Sequence, residues 1–131
     1  MRVGDFEVEI PIPPIKVNGS TRDWRLVQQA WWDAITAMYA DKNFSARIAL
    51  EMRVTGNSQV LLAPQFGNRL GTASIEVITS MPAVNDKRQI WGKFKQKLAD
   101  TWLHYKGPDG ILLNTRPHLA KEWQVIRNAL L

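Results

Sequence analysis

Apolar and polar positions alternate in the opening segment DFEVEIPIPP, with Phe6, Val8, Ile10 and Ile12 on one side and Glu7, Glu9 and Pro11 on the other. A period of two predicts a half-buried strand, ended by Pro13 and Pro14. Pro11 cannot donate to a ladder and predicts an edge position for that strand. After the turn VNGSTRD, where Ser20 or Thr21 would cap a helix, the period lengthens. Trp24, Val27, Trp31, Ala34, Ile35 and Met38 recur three and four apart and predict an amphipathic helix over 22–40. From Ala46 the period returns to two. Ala46, Ile48, Leu50, Met52 and Val54 face one way, and Arg47, Ala49, Glu51, Arg53 and Thr55 the other.

QVLLAPQFGNRLG reads as a brief strand broken into a loop by Pro and Gly, and GTASIEVITS alternates once more. In the latter, Ala73, Ile75 and Val77 lie on one face, with Thr72, Ser74, Glu76 and Ile78 on the other. Asn85 or Asp86 supplies an Asx cap for a second amphipathic helix over 86–105, marked by Trp91, Phe94, Leu98, Trp102 and Tyr105. KGPDG is a turn, ILLNTRPHLAK is irregular, and Leu119, Trp123, Ile126 and Leu130 predict a short terminal helix. The order β-α-β-β-β-α-α predicts an α+β fold: an antiparallel sheet with amphipathic helices packed on one face.

Composition narrows the class. The chain has 131 residues, 45 % of them hydrophobic, which suits a single domain over 1–131 with a true core. It has no cysteine, so disulfides, thiolate nucleophiles and Cys-based metal sites are excluded. No signal-peptide pattern opens the chain, and no apolar run reaches the roughly 18 residues of a membrane span. The expectation is a soluble, cytoplasmic protein. A net charge of +5 favours anionic partners. Its densest patch, KRQIWGKFKQK at 87–97, reads as a solvated helix face, and a nucleic-acid partner is disfavoured.

With the helices on one face of the sheet, the other presents Arg47, Glu51, Arg53, Ser74 and Glu76. Glu51 and Arg53 project the same way, roughly 7 Å apart along the strand. Two readings stay open: an exposed face with a weak ion pair worth about 0–1 kcal/mol, or a covered face on which desolvation makes each charge functional. QFGNRLGT matches neither a phosphate-binding P-loop nor the dinucleotide fingerprint. NTRPHLAKEW gathers Arg116, His118 and Lys121 beside a Pro that fixes the backbone. His104 sits near the end of a basic helix and is assigned no role. With two His and no Cys, a metal site would rest on carboxylates, and no ligand spacing along the chain marks one. No G-x-S-x-G nucleophile is present.

Three strings in this order, ALEMRVTG, APQFGNRLGTASIEV and LNTRPHLAKEW, resemble the C-terminal substrate-binding (cap) region of vanillyl-alcohol-oxidase-class flavoproteins. They look most like type II (covalent-flavin) cholesterol oxidases, and more distantly like aldonolactone and alditol oxidases. The resemblance covers roughly residues 24–125. It implies a ferredoxin-like cap architecture whose sheet roofs an FAD held by a separate domain or subunit. It also implies hydride transfer from a hydroxyl-bearing small molecule or sterol. By the same resemblance Glu51, Arg53 and Lys121 would be the catalytic groups. Glu76, Arg116, His118, Asn114 and Ser74 would bind substrate. Position 119 is Leu where relatives usually carry Trp. Nothing in the chain resembles the FAD-binding half, so no redox activity is expected of it alone. It would act as a split or excised cap, or as a binding module with Phe66 and Leu70 on an exposed rim that favours a partner or a homo-oligomer. The alternative is a non-catalytic interaction module using the exposed sheet or the basic helix face of Lys93, Lys95 and Lys97.

Overall fold

A computed structural model describes residues 3–42, 49–80 and 88–121. The alternating segments become long strands, β1 (Val3–Pro11), β2 (Ala49–Thr55) and β3 (Thr72–Ser80), and the two stripes become α1 (Trp24–Tyr39) and α2 (Arg88–Trp102). A two-residue strand, β4 (Arg116–Pro117), closes the order β1-α1-β2-β3-α2-β4. The sheet runs β2-β3-β1-β4 with every neighbouring pair antiparallel. This is the expected α+β fold, and its topology is that of a split βαβ, ferredoxin-like sheet.

Side chains on one face of the sheet make the core. Phe6, Val8, Ile10, Ile75 and Val77 meet Ala30, Ala34 and Ala37 of α1 and Trp91, Phe94, Leu98 and Trp102 of α2. Small residues on α1 allow close approach, and the bulky residues of α2 fill the space that remains. Trp102 is fully buried, stacks on Phe6 with ring centroids 5.9 Å apart, and donates its indole N–H to Ala30 O at 3.2 Å. Among the described residues no helix is long and apolar enough to cross a membrane.

Several expectations need correction. β1 is an interior strand, but β4 spans only the Val8–Glu9 side, so Pro11 at the strand's end meets no ladder there. α1 is capped by Asp23, whose carboxylate accepts from Arg25 N at 3.1 Å, and not by Ser20 or Thr21. Thr21 lies before the helix, its carbonyl accepting from Ile15 N as the chain folds back on Pro13 and Pro14, and the helix starts only at Trp24. The brief strand at Gln59–Leu62 does not form. A tight turn takes its place, with Ala63 N donating to Val60 O, and among the described residues no strand lies alongside to pair with it. α2 ends at Trp102, and Leu103–Tyr105 continue as turns whose Tyr105 ring still packs against the core. Arg47, the Asx cap at 85–86 and the terminal helix beyond Lys121 lie outside the described residues.

Gly71 sets the entry to β3. Its φ is +100°, and an added Cβ would lie 2.6 Å from Thr55 O, a backbone atom. Its own N–H and C=O bond Asn68 O and Ile12 N. Gly71→Ala is therefore expected to cost about 2 kcal/mol or more in urea unfolding, since both the left-handed backbone and the contact oppose a side chain. A loss under ~0.5 kcal/mol would show that the loop relaxes freely.

Candidate functional site

Residues directly opposite in an antiparallel pair share a face, so the register places the charges. One row across the face turned away from α1 and α2 reads Glu51, Glu76, Glu7, and the next reads Arg53, Ser74, Glu9, Arg116. Asp5 stands on β1 one step beyond Glu7 on the same face. Glu51 and Arg53 do jut from the same side of an extended segment. What they face is a bed of buried carboxylates: Glu7 and Glu9 are each 2 % exposed and Glu76 5 %.

Two cations are set into this bed. Arg53 bonds Glu7 at 2.5 Å and Glu76 at 3.3 Å, and its side chain remains 54 % exposed. Lys121 bonds Asp5 at 2.6 Å and Glu76 at 2.9 Å, lies 3.9 Å from Glu7, and is 24 % exposed. Glu76 therefore links two cations that arrive from segments about seventy residues apart. Glu9 is held differently, accepting a short hydrogen bond from the Ser74 hydroxyl. No cation lies within ion-pair distance of it among the described residues.

These surroundings move the carboxyls in opposite directions. Burial raises Glu9; the Ser74 bond opposes that, Glu7 adds to it, and His118 and Arg53 are too weakly placed to reverse it. Burial also raises Asp5, against the Lys121 bond and with Glu76 adding to the rise. Glu76 feels burial too, but Lys121, Asp5 and Arg53 together hold it below the ordinary glutamate range. Lys121 is raised by its bonds to Asp5 and Glu76.

A carboxyl raised on folding binds more protons in the native state, so stability falls as pH climbs from its unfolded to its folded pKa. Glu9→Gln removes that penalty and can still accept from Ser74. In metal-free buffer it is expected to gain about 1 kcal/mol at pH 8, on the scale of a buried polar group relieved of poor pairing, and little at pH 4. Chemical denaturation at both pH values measures this; a variant less stable at pH 8 would mean that Glu9 is well paired as an anion.

Beside the carboxylate bed lies a largely apolar pocket of about 510 Å³. Leu61, Leu62, Pro64 and Leu119 form much of its wall, with Arg116 and His118 at its polar side. Arg116 donates to the carbonyls of Pro64 (3.2 Å) and Phe66 (2.9 Å), tying the 56–71 loop to β4. His118 N donates to Glu7 O at 3.1 Å, which extends the β4 register and keeps the residue on the carboxylate face. Glu7, Glu9 and His118 each offer a donor atom within 4.8 Å of the others. Leu61, Leu62 and Leu119 are strongly exposed, Leu62 at 96 %. Phe66 and Leu70, the expected rim, are half-buried, because Arg116 and the Asn68 turn draw that part of the loop inward.

Of the expected site residues, Arg53, Glu76 and Lys121 form one ion cluster, Ser74 stands beside it with its hydroxyl on Glu9, and Arg116 and His118 border it. Glu51 shares the face but is exposed, influencing Arg53 only through space. Asn114 is exposed, and its φ of +61° makes it a turn residue ahead of β4; no bond to the ion cluster is seen among the described residues. Asp5, Glu7 and Glu9 were missed, although the alternation in DFEVEI already put all three opposite the core. Sequence spacing marks no metal-ligand set, and the Glu7–Glu9–His118 grouping could not be read there, because Glu7 and His118 are far apart in sequence and meet only through β1–β4 pairing. Comparison of the chain with protein-family models, with characterised proteins and with solved structures found no match.

Proposed function

We propose that the chain is a substrate-binding cap for an FAD-dependent oxidase acting on a hydroxyl-bearing small molecule, with a sterol as one candidate. The carrying observation is convergence. Arg53, Glu76 and Lys121, from three separate strings of the resemblance, meet in one ion cluster, and Arg116 binds the loop of the second string.

The face suits a flavin held by another domain or subunit. A reduced isoalloxazine gains negative charge, and Arg53 offers a half-exposed guanidinium anchored from behind by Glu7 and Glu76. The bound flavin would supply the hydride acceptor, which no side chain of this composition can replace. The chain's own part is to orient and to exclude water. The apolar pocket would take the substrate's carbon skeleton, and Arg53 and Lys121 would direct its hydroxyl oxygen. Exposed Leu61, Leu62 and Leu119 give such a partner apolar surface to bury. The basic-face module draws less support, because Lys95 is 4 % exposed with its ammonium 5.5 Å from the Trp91 ring, leaving Lys93 and Lys97 on that face.

The test titrates the chain into recombinant FAD-binding domains of the vanillyl-alcohol-oxidase class under anaerobic conditions. The expected result is a shifted flavin spectrum and bleaching by an alcohol. Arg53→Ala should then slow bleaching about 100-fold, the scale seen when one electrostatic donor to developing charge is removed. An unchanged flavin spectrum, or bleaching that ignores Arg53, overturns the reading.

A further inference from the structure

We propose that Glu7, Glu9 and His118 bind one divalent transition-metal cation of the zinc class. Glu7 and Glu9 stand two apart on β1, and His118 is delivered by the segment after β4, its backbone N–H fixed on Glu7 O. One donor atom from each lies within 4.8 Å of the other two. Two carboxylates and an imidazole suit zinc and its first-row neighbours; calcium and magnesium prefer all-oxygen shells. Ligands about 2.1 Å from a tetrahedral zinc sit ~3.4 Å from one another, so side-chain rotations of the order of 1 Å close the site.

Two observations point to a ligand and not merely to a polar cluster. His118 Nδ1 is sealed from solvent and has no hydrogen-bond partner among the described residues. A buried nitrogen left so is costly, and a neutral imidazole nitrogen is a metal donor by nature. Glu9, 2 % exposed, has Ser74 as its hydrogen-bond partner among the described residues, while Arg53 and Lys121 are committed to Asp5, Glu7 and Glu76. A cation beside Glu9 supplies the direct ion-pair contact that the described residues around it do not. Glu7 keeps one oxygen on Arg53, a bond that orients the carboxylate as outer hydrogen bonds commonly orient metal ligands. Three protein ligands leave a coordination position for water or for an oxygen of a molecule in the adjoining pocket, whose wall His118 shares. The site needs no flavin and no partner, so it stands or falls apart from the cap reading.

Zinc alone, titrated calorimetrically into the chelator-treated chain, tests it. One zinc per chain is expected, with a raised unfolding midpoint. The chain has two histidines, so the imidazole resonances in a nitrogen-correlated spectrum identify the ligand directly. His118 should shift and His104 should not. Glu9→Gln and His118→Gln should each weaken binding at least about tenfold, and His104→Gln should leave it unchanged. Should His118→Gln fail to fold, the spectrum of the unaltered chain and the Glu9→Gln titration decide. Absence of uptake at about 100 μM zinc, at which any site of useful affinity would fill, overturns the proposal. So does a shift confined to His104, or binding indifferent to Glu9→Gln.

Discussion

Trp102→Ala is expected to lower the free energy of unfolding by about 4 kcal/mol, the range for a fully buried Trp cut to Ala. Three losses combine. The indole's buried area goes, a cavity opens between α2 and the sheet, and the stack on Phe6 disappears. The Ala30 carbonyl also loses the indole N–H it accepts from, at a point where α1 and α2 touch. The consequence reaches the site, because Phe6 lies between Asp5 and Glu7 on β1. A strand that can shift on its core side holds its carboxylate side less firmly. Urea unfolding by Trp fluorescence measures the loss. Trp102→Phe should recover more than half, since it refills most of the volume and restores the stack. A cost below ~1.5 kcal/mol for the alanine variant would mean that the core collapses into the space.

Lys121→Met should cost about 2 kcal/mol at pH 7, below the 3–5 kcal/mol typical of a fully buried broken pair because water reaches part of the lysine. The ammonium is the shared partner of Asp5 and Glu76, and its removal leaves both carboxylates facing Glu7, with Arg53 the one cation among the described residues still bonded to the cluster. Arg53→Met should cost less, about 1 kcal/mol, because more than half of that side chain is in solvent. The pH dependence has a definite sign. Lys121 is raised on folding, so its contribution is complete below the ordinary lysine pKa and is lost only as pH rises through a higher, folded value. Glu76 is lowered, so its contribution holds above the ordinary glutamate pKa and is lost as pH falls through a value beneath it. The gap between wild type and Lys121→Met should stay level from about pH 6 to 9 and narrow below about pH 4. In a Glu76→Gln background the same substitution should cost less, and equal costs in the two backgrounds would show that the pair is uncoupled.

Much of the fold was legible because burial imposes a period. DFEVEI and TASIEVITS alternate since one face of each strand meets the helices, whereas in ALEMRVT Leu50 packs against the core and Met52 and Val54, on the same side, stay exposed; the Trp91–Phe94–Leu98–Trp102 spacing repeats since α2 shows the sheet one stripe. The strand wrongly expected at Gln59–Leu62 shows the limit of that signal. Its residues are apolar, but pairing needs a free neighbouring strand, and composition carries no information about which edges are free. β4 was invisible for the converse reason: two residues define no period, and Arg116–Pro117 join the sheet only because β1 leaves an edge open at Val8–Glu9.

For the candidate site the sequence could assign sides but not neighbours. It put Glu51, Arg53, Ser74 and Glu76 on one face, because alternation along a strand fixes which way each side chain points. It could not say that Glu76 would stand between Glu51 and Glu7, that Lys121 would return to Glu76, or that His118 would come to rest beside Glu9. Those meetings depend on strand order and register, which are set by the free energy of the whole packed sheet. The same long-range pairing decided which charges share partners, and hence that Glu76 is lowered while Glu9 is raised, though both are glutamates on one face of neighbouring strands. Direction along each strand is local and was written in the chain; adjacency between strands is cooperative and existed only once the sheet closed.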